Sequence, residues 1–344
     1  MTATQKLLHD QKLSEKELCP DDLLAGQEAA FARDIERLKS RRHEFVPVPC
    51  PACGAGDGVP AFEKFSFDYC RCPHCRTLFM SPRPAPHVMA AYYADSENYR
   101  FWAEHIFPAS EDARREKIHR PRLARVLDYC AAYGIPTGSL MEVGPGFGTF
   151  SALAAECGRF KKVVAVEPTP ELAAACRERG VAVIERRVEE IQTRENNVDV
   201  ALAFEVIEHL FEPRRFLEAM AAQLAPGGLL VLTCPNGLGF DIQVLGPVSL
   251  AVDAEHVNLF NPDSLSRLVT TCGFEVLETS TPGRLDAEFV REAVLAGHFS
   301  LKDNPFLQRV LIDEWERLGH GFQTFLAENG LSSHMWLAAR KRRR

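Results

Sequence analysis

Between Leu140 and Leu232 one pattern repeats. Short apolar runs at Leu140–Val143, Val163–Val166, Val181–Ile184, Val198–Phe204 and Leu229–Leu232 alternate with helical stretches such as 169–179 and 212–224. Strands separated by helices pair in parallel through right-handed crossovers, so the stretch predicts an α/β fold with a doubly wound sheet. Two more apolar segments, FEVLETS (274–280) and SHMWLAARK (333–341), bring the mostly parallel sheet to seven strands. Two strong helical patterns, RLDAEFVREAVLAGHF and NPFLQRVLIDEWERLGHGFQTFLAEN, fill the interval between them, which predicts a helical insertion before the last strand.

The first strand runs into the stretch SLMEVGPGFGTF (139–150). A pyrophosphate-binding turn needs G-x-G-x-x-G, where the third glycine allows close packing of helix on strand. Here Gly144, Gly146 and Gly148 give G-x-G-x-G, and Thr149 stands where that third glycine belongs. Glu167 closes the next strand, in VVAVEP, roughly twenty residues after the first glycine, where a carboxylate can accept both ribose hydroxyl protons. That placement also suits a nicotinamide dinucleotide, so it does not choose the ligand alone.

Upstream, the helix-prone stretch from Pro20 to about His43 carries Leu24, Phe31, Ile35 and Leu38 along one face. This N-terminal arm (1–44) packs on its own body or makes a homodimer contact. Prolines and glycines then mark off a small module over 45–85. An aromatic and helical linking segment (86–135), with a long helix expected over 111–133, leads into the main domain. That domain comprises 136–280 and 332–344, with the helical insertion at 281–331.

Four of the eleven cysteines form two pairs, CPAC (Cys50, Cys53) and CPHC (Cys72, Cys75), eighteen residues apart. This spacing falls within that of a closed four-thiolate zinc site, and so small a module would draw most of its folding energy from a structural Zn2+. Cys70 or His74 could replace one ligand. A redox dithiol fits poorly, because neither pair opens a helix in a βαβ unit. A nucleic-acid ribbon would have only Lys64, Arg71, Arg76 and Arg83 as its electrostatic footprint, so nucleic acid is a weak expectation. The remaining reading is a ribbon packed on the main domain that helps to shape a substrate site.

Net charge is −7, with 40 basic and 47 acidic residues, so no global field favours nucleic acid or anionic lipid. The basic run Arg340–Arg344 reads as solvated. No segment reaches about 18 consecutive apolar residues, and the first residues lack the apolar run of a secretory signal. A cytoplasmic protein without an integral membrane segment is the expectation.

With Glu142 before it, the glycine turn resembles the first motif of class I S-adenosylmethionine (SAM) methyltransferases. VDVALAFEVIEHL and LAPGGLLVLTCPN resemble the fourth- and fifth-strand motifs of the same class, in order. The resemblance implies a Rossmann-like methyltransferase fold and SAM as cofactor. Glycines 144, 146 and 148 would then pass under its amino-acid portion, and Glu167 would hold its ribose. Arg187, Val188 and Glu189 would flank the adenine, and Glu205 would line the methionine end. The residues alone leave other readings open: the glycines could serve only a tight turn, and Glu189 or Glu205 could be solvated helix-start carboxylates.

The ribbon, the bridge FMSPRPAP…AAYY and DAEHVNLFNPDSLSRLVTTCGFEV together resemble class I methyltransferases of bacterial cell-surface polysaccharide and sugar-nucleotide biosynthesis, over roughly 45–280. The chain lacks the further C-terminal domain of the zinc-containing deoxysugar C-methyltransferases, so the resemblance implies methylation of oxygen rather than of a sugar carbon. For a hydroxyl acceptor the candidate bases are His256 and His209, which could equally fix a loop, and Asn258 is a candidate to orient it. Tyr92, Tyr93, Tyr99 and Trp102 are candidates for a lid over a small-molecule or glycan acceptor, or for ordinary packing. Other acceptors, a quinone-like metabolite or RNA, and an inactive zinc-ribbon interaction protein are the rival readings.

Overall fold

The computed structural model describes residues 13–192 and 197–343. The first twelve residues of the predicted N-terminal arm and Arg344 of the basic run lie outside them. Two sheets carry the site. In chain order their strands are β1 (Val59–Lys64), β2 (Phe67–Arg71), β3 (Leu78–Met80), β4 (Ser139–Val143), β5 (Lys162–Val166), β6 (Ala182–Ile184), β7 (Val198–Phe204), β8 (Leu224–Pro235), β9 (Asn258–Leu259), β10 (Phe274–Ser280) and β11 (His334–Lys341).

The large sheet has the order β10-β11-β8-β7-β4-β5-β6. β8, β7, β4, β5 and β6 are parallel neighbours, whereas β11 runs antiparallel to both β8 and β10. From β4 the chain steps outward to β5 and β6, then returns to lay β7 on the other side of β4. That reversal opens a crevice at the carboxyl ends of β4 and β7, where open α/β sheets bind ligands.

Helices cover both faces, which is why the central strands are apolar at nearly every position. Leu140, Val200, Leu202 and Val231 meet Leu123, Val126 and Phe150 on one side. Met141, Ala201, Leu230 and Leu232 meet Phe216, Leu217 and Leu268 on the other. Each such fully buried aliphatic or phenyl side chain contributes about 1.5–3 kcal/mol.

The helix predicted over 111–133 starts earlier, at Glu97, and continues to Tyr133 through two wider π-type turns, Trp102–Ile106 and Arg115–His119. Pro108 and Pro121 follow these turns directly, and a proline has no N–H with which to continue the tighter ladder. The N-terminal arm forms the helix Asp21–Ser40 and buries Ile35 and Leu38 against Phe67, Tyr69 and Leu78. Its apolar face is thus used within the chain. After β10, helices Asp286–Leu295 and Trp315–Glu328 share a separate core with Leu245. Among the described residues no helix is long and apolar enough to cross a membrane.

The small module is less separate than its composition implied. Its antiparallel sheet has the order β9-β3-β2-β1, and β9 comes from the loop that follows β8 of the large sheet. Asn261, just beyond β9, donates through Nδ2 to the carbonyl of Cys75 at 2.8 Å. The ribbon is therefore stitched to the loop that follows β8 of the main domain.

Candidate active site

The glycine turn leaves β4 with three left-handed residues: φ is 69° at Gly144, 55° at Gly146 and 79° at Gly148. The outer two are demanded by the protein itself. A Cβ on Gly144 would lie 2.6 Å from Cγ2 of Val206, and one on Gly148 would meet Cys176 at Sγ (2.9 Å) and Cα (3.1 Å). Gly146 differs, for a Cβ there would find nothing within 4 Å. The middle of the turn therefore faces open space at the switch point.

The Gly144 N–H donates to the Val166 carbonyl and the Glu167 N–H to the Ile184 carbonyl, which carries the strand register into the loops. Glu167 is buried, and its Oε1 accepts from the Thr169 N–H at 2.8 Å. Burial raises its pKa, and Thr169 opposes that rise. Glu142, inside β4, is buried with Ser151 donating to its Oε2, and burial pushes it up to about 7. Val188 is buried and Glu189 half-buried in the short turn after β6.

Glu205, the residue after β7, is in a left-handed conformation, φ 55°, which a residue with a Cβ rarely adopts. Three groups reach its Oε1: Arg122 Nη2 at 2.8 Å, His334 Nε2 at 2.9 Å and Thr233 Oγ1 at 2.5 Å. Desolvation would raise this carboxyl, but His334, Arg122 and Thr233 outweigh it and hold it well below the usual carboxylate range. Sequence reasoning named Glu205 and missed Arg122 and His334, which lie far away in the chain and carry no local motif. Arg122 and His334 also line a cavity of about 290 Å³ whose other walls include Ile118, Leu285, Phe289 and Trp336.

The turn after Glu205 brings the two candidate histidines together. The rings of His209 and His256 meet edge to face with centroids 4.8 Å apart. His256 Nδ1 lies 2.8 Å from the Ala251 carbonyl and 3.7 Å from Asp253 Oδ2, and Ala251 lines the same cavity. Burial favours the neutral His256 ring, but Asp253 and then Glu208 raise its pKa to about 9. Burial, then His256, push His209 down to about 3. Glu208, which sequence reasoning passed over although it adjoins His209 in FEVIEH, is fully buried beside them. Its burial and the charge of Glu205 raise it to about 8.

Other segments hold this turn in place. Asn258, fully buried on β9, donates to the carbonyls of Leu210 (2.7 Å), Ile207 (3.2 Å) and Glu208 (3.4 Å). Its own Oδ1 accepts from Arg83 Nη1 at 2.9 Å, and Arg83, from the end of the ribbon, is itself buried. Arg83 is therefore lost from the basic footprint considered for nucleic acid, and Lys64 donates to the Ser249 carbonyl at 2.8 Å. The tyrosines of the linking segment converge as well. Tyr92 and Tyr99 donate to the two oxygens of Glu255 at 2.8 and 2.9 Å, and Tyr93 stacks edge-on against both rings. Trp102 is elsewhere, under the Arg114 guanidinium at 5.1 Å.

Cys50, Cys53, Cys72 and Cys75 are all free thiols, with ligand atoms within 4.8 Å of one another. Sγ of Cys50 is 3.5 Å from that of Cys75, and Sγ of Cys53 is 3.5 Å from that of Cys72. A tetrahedral site with metal–sulfur bonds of about 2.3 Å has sulfur–sulfur edges of roughly 3.8 Å, so the thiols converge at nearly the spacing of a bound ion. The two knuckles repeat one design, each closed by a left-handed residue, Gly54 and Arg76, whose N–H donates to the carbonyl of the first cysteine of its pair. Cys70 points away, with its Sγ on the Ser81 carbonyl, and His74 pairs with Asp57, so neither spare ligand joins the four.

Residues 114–279 match a family described as a methyltransferase domain. A probable S-adenosylmethionine-dependent methyltransferase of Mycobacterium tuberculosis is 30% identical over 182 residues, which cover 52% of this chain and 57% of that protein. The chain thus spans little more than half the length of that relative. A ubiquinone biosynthesis O-methyltransferase of Xanthomonas campestris is 26% identical, with 50% of this chain and 74% of that protein aligned. Among solved structures, the 1,6-didemethyltoxoflavin-N1-methyltransferase of Burkholderia thailandensis aligns with 82% of this chain and 99% of its own, at 16% identity and a TM-score of 0.46.

Proposed function

We propose that this chain, whose residues 114–279 form a class I SAM-dependent methyltransferase domain, methylates an oxygen of a sugar or glycan in cell-surface polysaccharide biosynthesis, as a cytoplasmic enzyme with structural zinc in its ribbon. The observation that carries the cofactor reading is Gly146: a left-handed residue facing open space at the switch point, one strand from a buried carboxylate. Gly144 and Gly148 hold the turn in shape, Glu142 backs it through Ser151, and Glu167 takes the ribose hydroxyls. Val188 and Glu189 flank the adenine, and Glu205 lines the methionine end.

When bound, SAM supplies an electrophilic methyl group. The chain's own residues must then align an acceptor oxygen, exclude water and remove a proton. His256 is the proposed proton acceptor. With Nδ1–H on the Ala251 carbonyl, Nε2 is the atom that would take the hydroxyl proton, and because Asp253 and Glu208 raise the ring's pKa to about 9, the free base and turnover are expected to rise with pH toward that value. His209 packs edge to face against that ring. The four thiolates would hold the zinc, and the ion would keep the ribbon, and through Arg83 the Asn258 clamp, in register.

A second acceptor reading has its own support. The cavity beside Arg122 and His334 is lined mainly by apolar side chains, which suits a quinone-like phenol better than a sugar. Turnover with two panels, nucleotide sugars and oligosaccharides in one and alkylated phenols in the other, read as methylated mass, decides between them. Titration of S-adenosylhomocysteine by calorimetry tests the cofactor site: Glu167→Ala is expected to bind at least about tenfold more weakly, and equal affinity removes Glu167 from it. Full turnover by His256→Ala would end the base assignment.

A further inference from the structure

Glu208 stands out among the buried groups. It has no solvent exposure, and neither of its carboxylate oxygens has a hydrogen-bond partner. Nδ1 of the adjoining His209 is likewise buried and unpartnered. An isolated buried carboxylate is strongly unfavourable unless it is protonated or meets a cation. Of the two guanidiniums of this region, Arg122 is committed to Glu205, and Arg83 donates to Asn258 Oδ1 and to the carbonyls of Met80 and Phe211. Asp253, the acid nearest His256, uses Oδ1 to accept the backbone N–H groups of Glu255 and His256, both at 2.8 Å.

One ligand atom each from Glu208, His209 and His256 lies within 4.8 Å of the others. Their surroundings resemble the outer support of a metal centre. His256 is oriented through its contact with the Ala251 carbonyl, as metal-bound imidazoles are oriented by an acceptor on their other nitrogen. Asn258 fixes the turn bearing Glu208 and His209 by its three carbonyl contacts. We infer that Glu208, His209 and His256 bind a divalent transition-metal ion, separate from the four-thiolate ribbon.

Two imidazoles and one carboxylate favour Mn2+, Fe2+, Co2+ or Zn2+ over Mg2+ and Ca2+, which prefer oxygen donors throughout. Three protein ligands also leave a coordination position open. The inference rests on the methyltransferase reading only for its consequence: an acceptor hydroxyl on that open position would be acidified by the ion, and His256 would be a ligand instead of the proton acceptor.

The test uses the full chain with its ribbon zinc retained, stripped of weakly held metal with EDTA and titrated with Mn2+ under electron paramagnetic resonance. Mn2+ suits the nitrogen–oxygen set and competes poorly for four thiolates. The expected result is one bound Mn2+ per chain, displaced by added Zn2+, with affinity reduced at least about tenfold in both Glu208→Gln and His256→Gln. Absence of Mn2+ binding by the wild type at millimolar concentration overturns the site, as does wild-type binding by either folded variant. S-adenosylhomocysteine calorimetry on the same samples verifies that each variant is folded. It also separates the two readings: wild type that binds this ligand but no Mn2+ loses only the metal site, and wild type that binds Mn2+ alone loses only the cofactor site.

Discussion

The backbone of the candidate cofactor pocket between Gly144 and Glu167 comes from one βαβ unit, whereas the cluster of Glu208, His209 and His256 depends on four segments of chain. In the first, neighbouring backbone hydrogen bonds set the geometry, and the outer glycines are fixed by contacts with Val206 and Cys176. In the second, Arg83 from the ribbon holds Asn258 on β9, Asn258 holds the turn after β7, and tyrosines from the linking segment hold Glu255 beside His256. The contrast teaches that a cofactor common to many enzymes can be held by a local motif. The proposed acceptor side is instead assembled by contacts among segments distant in sequence, and it touches the motif through Val206.

The sharpest way to break this comparison is at Gly148. Gly148→Val adds a Cβ against the Cys176 backbone in a left-handed residue, and is expected to reduce S-adenosylhomocysteine affinity at least about a hundredfold by calorimetry. Gly146→Ala meets no protein atom and should cost only about 1 kcal/mol of stability. A fall in ligand affinity well beyond that cost would mark Gly146 as the residue facing the ligand. Equal effects of the two substitutions would erase the distinction between inner and outer glycines.

Arg83→Met sharpens the other half. It leaves Asn258 Oδ1 without its donor, which should cost about 1–3 kcal/mol in denaturant melts. Turnover should fall about tenfold while S-adenosylhomocysteine affinity stays unchanged. A parallel loss of cofactor affinity would mean that the two sides are not independently built.

Glu142 provides a smaller, pH-dependent contrast within the cofactor side. Burial raises its folded pKa to about 7, so the stability tied to its neutral form is complete below the unfolded value and is lost as pH rises through the folded one. Glu142→Gln removes that dependence. Between about pH 4 and 7 the variant should gain on the wild type by no more than about 3 kcal/mol and then hold a constant lead, as followed by thermal melts. A difference that does not vary with pH would show that the Glu142 carboxyl has the same pKa folded and unfolded, so that burial does not raise it.

Much of the main sheet was legible because strands buried on both faces must be apolar at nearly every position. The run Val198–Phe204 is β7 residue for residue, and the predicted 274–280 segment is β10. The true start of the long helix at Glu97 was not legible, since its π-type turns spoil a regular 3.6-residue repeat. Arg83, counted from the sequence in the ribbon's basic footprint, is buried, because hydrogen-bond acceptors arrive from β9 and from the turn after β7. Glu208 was hidden in plain view: adjacency to His209 was visible, but the loss of every hydrogen-bond partner exists only once the strands are packed.

The amino-acid order by itself determined what depends on neighbours along the chain: alternating strands and helices, a turn requiring glycines, and thiols spaced for a tetrahedral ion. Tertiary structure alone decided that β9 would extend the ribbon sheet, that Arg122 and His334 would meet on Glu205, and that a carboxylate and two imidazoles would come within reach of one another. The physical reason is range. Backbone geometry and hydrophobic period are encoded within a few residues, whereas burial, desolvation and charge pairing depend on groups that only folding brings together.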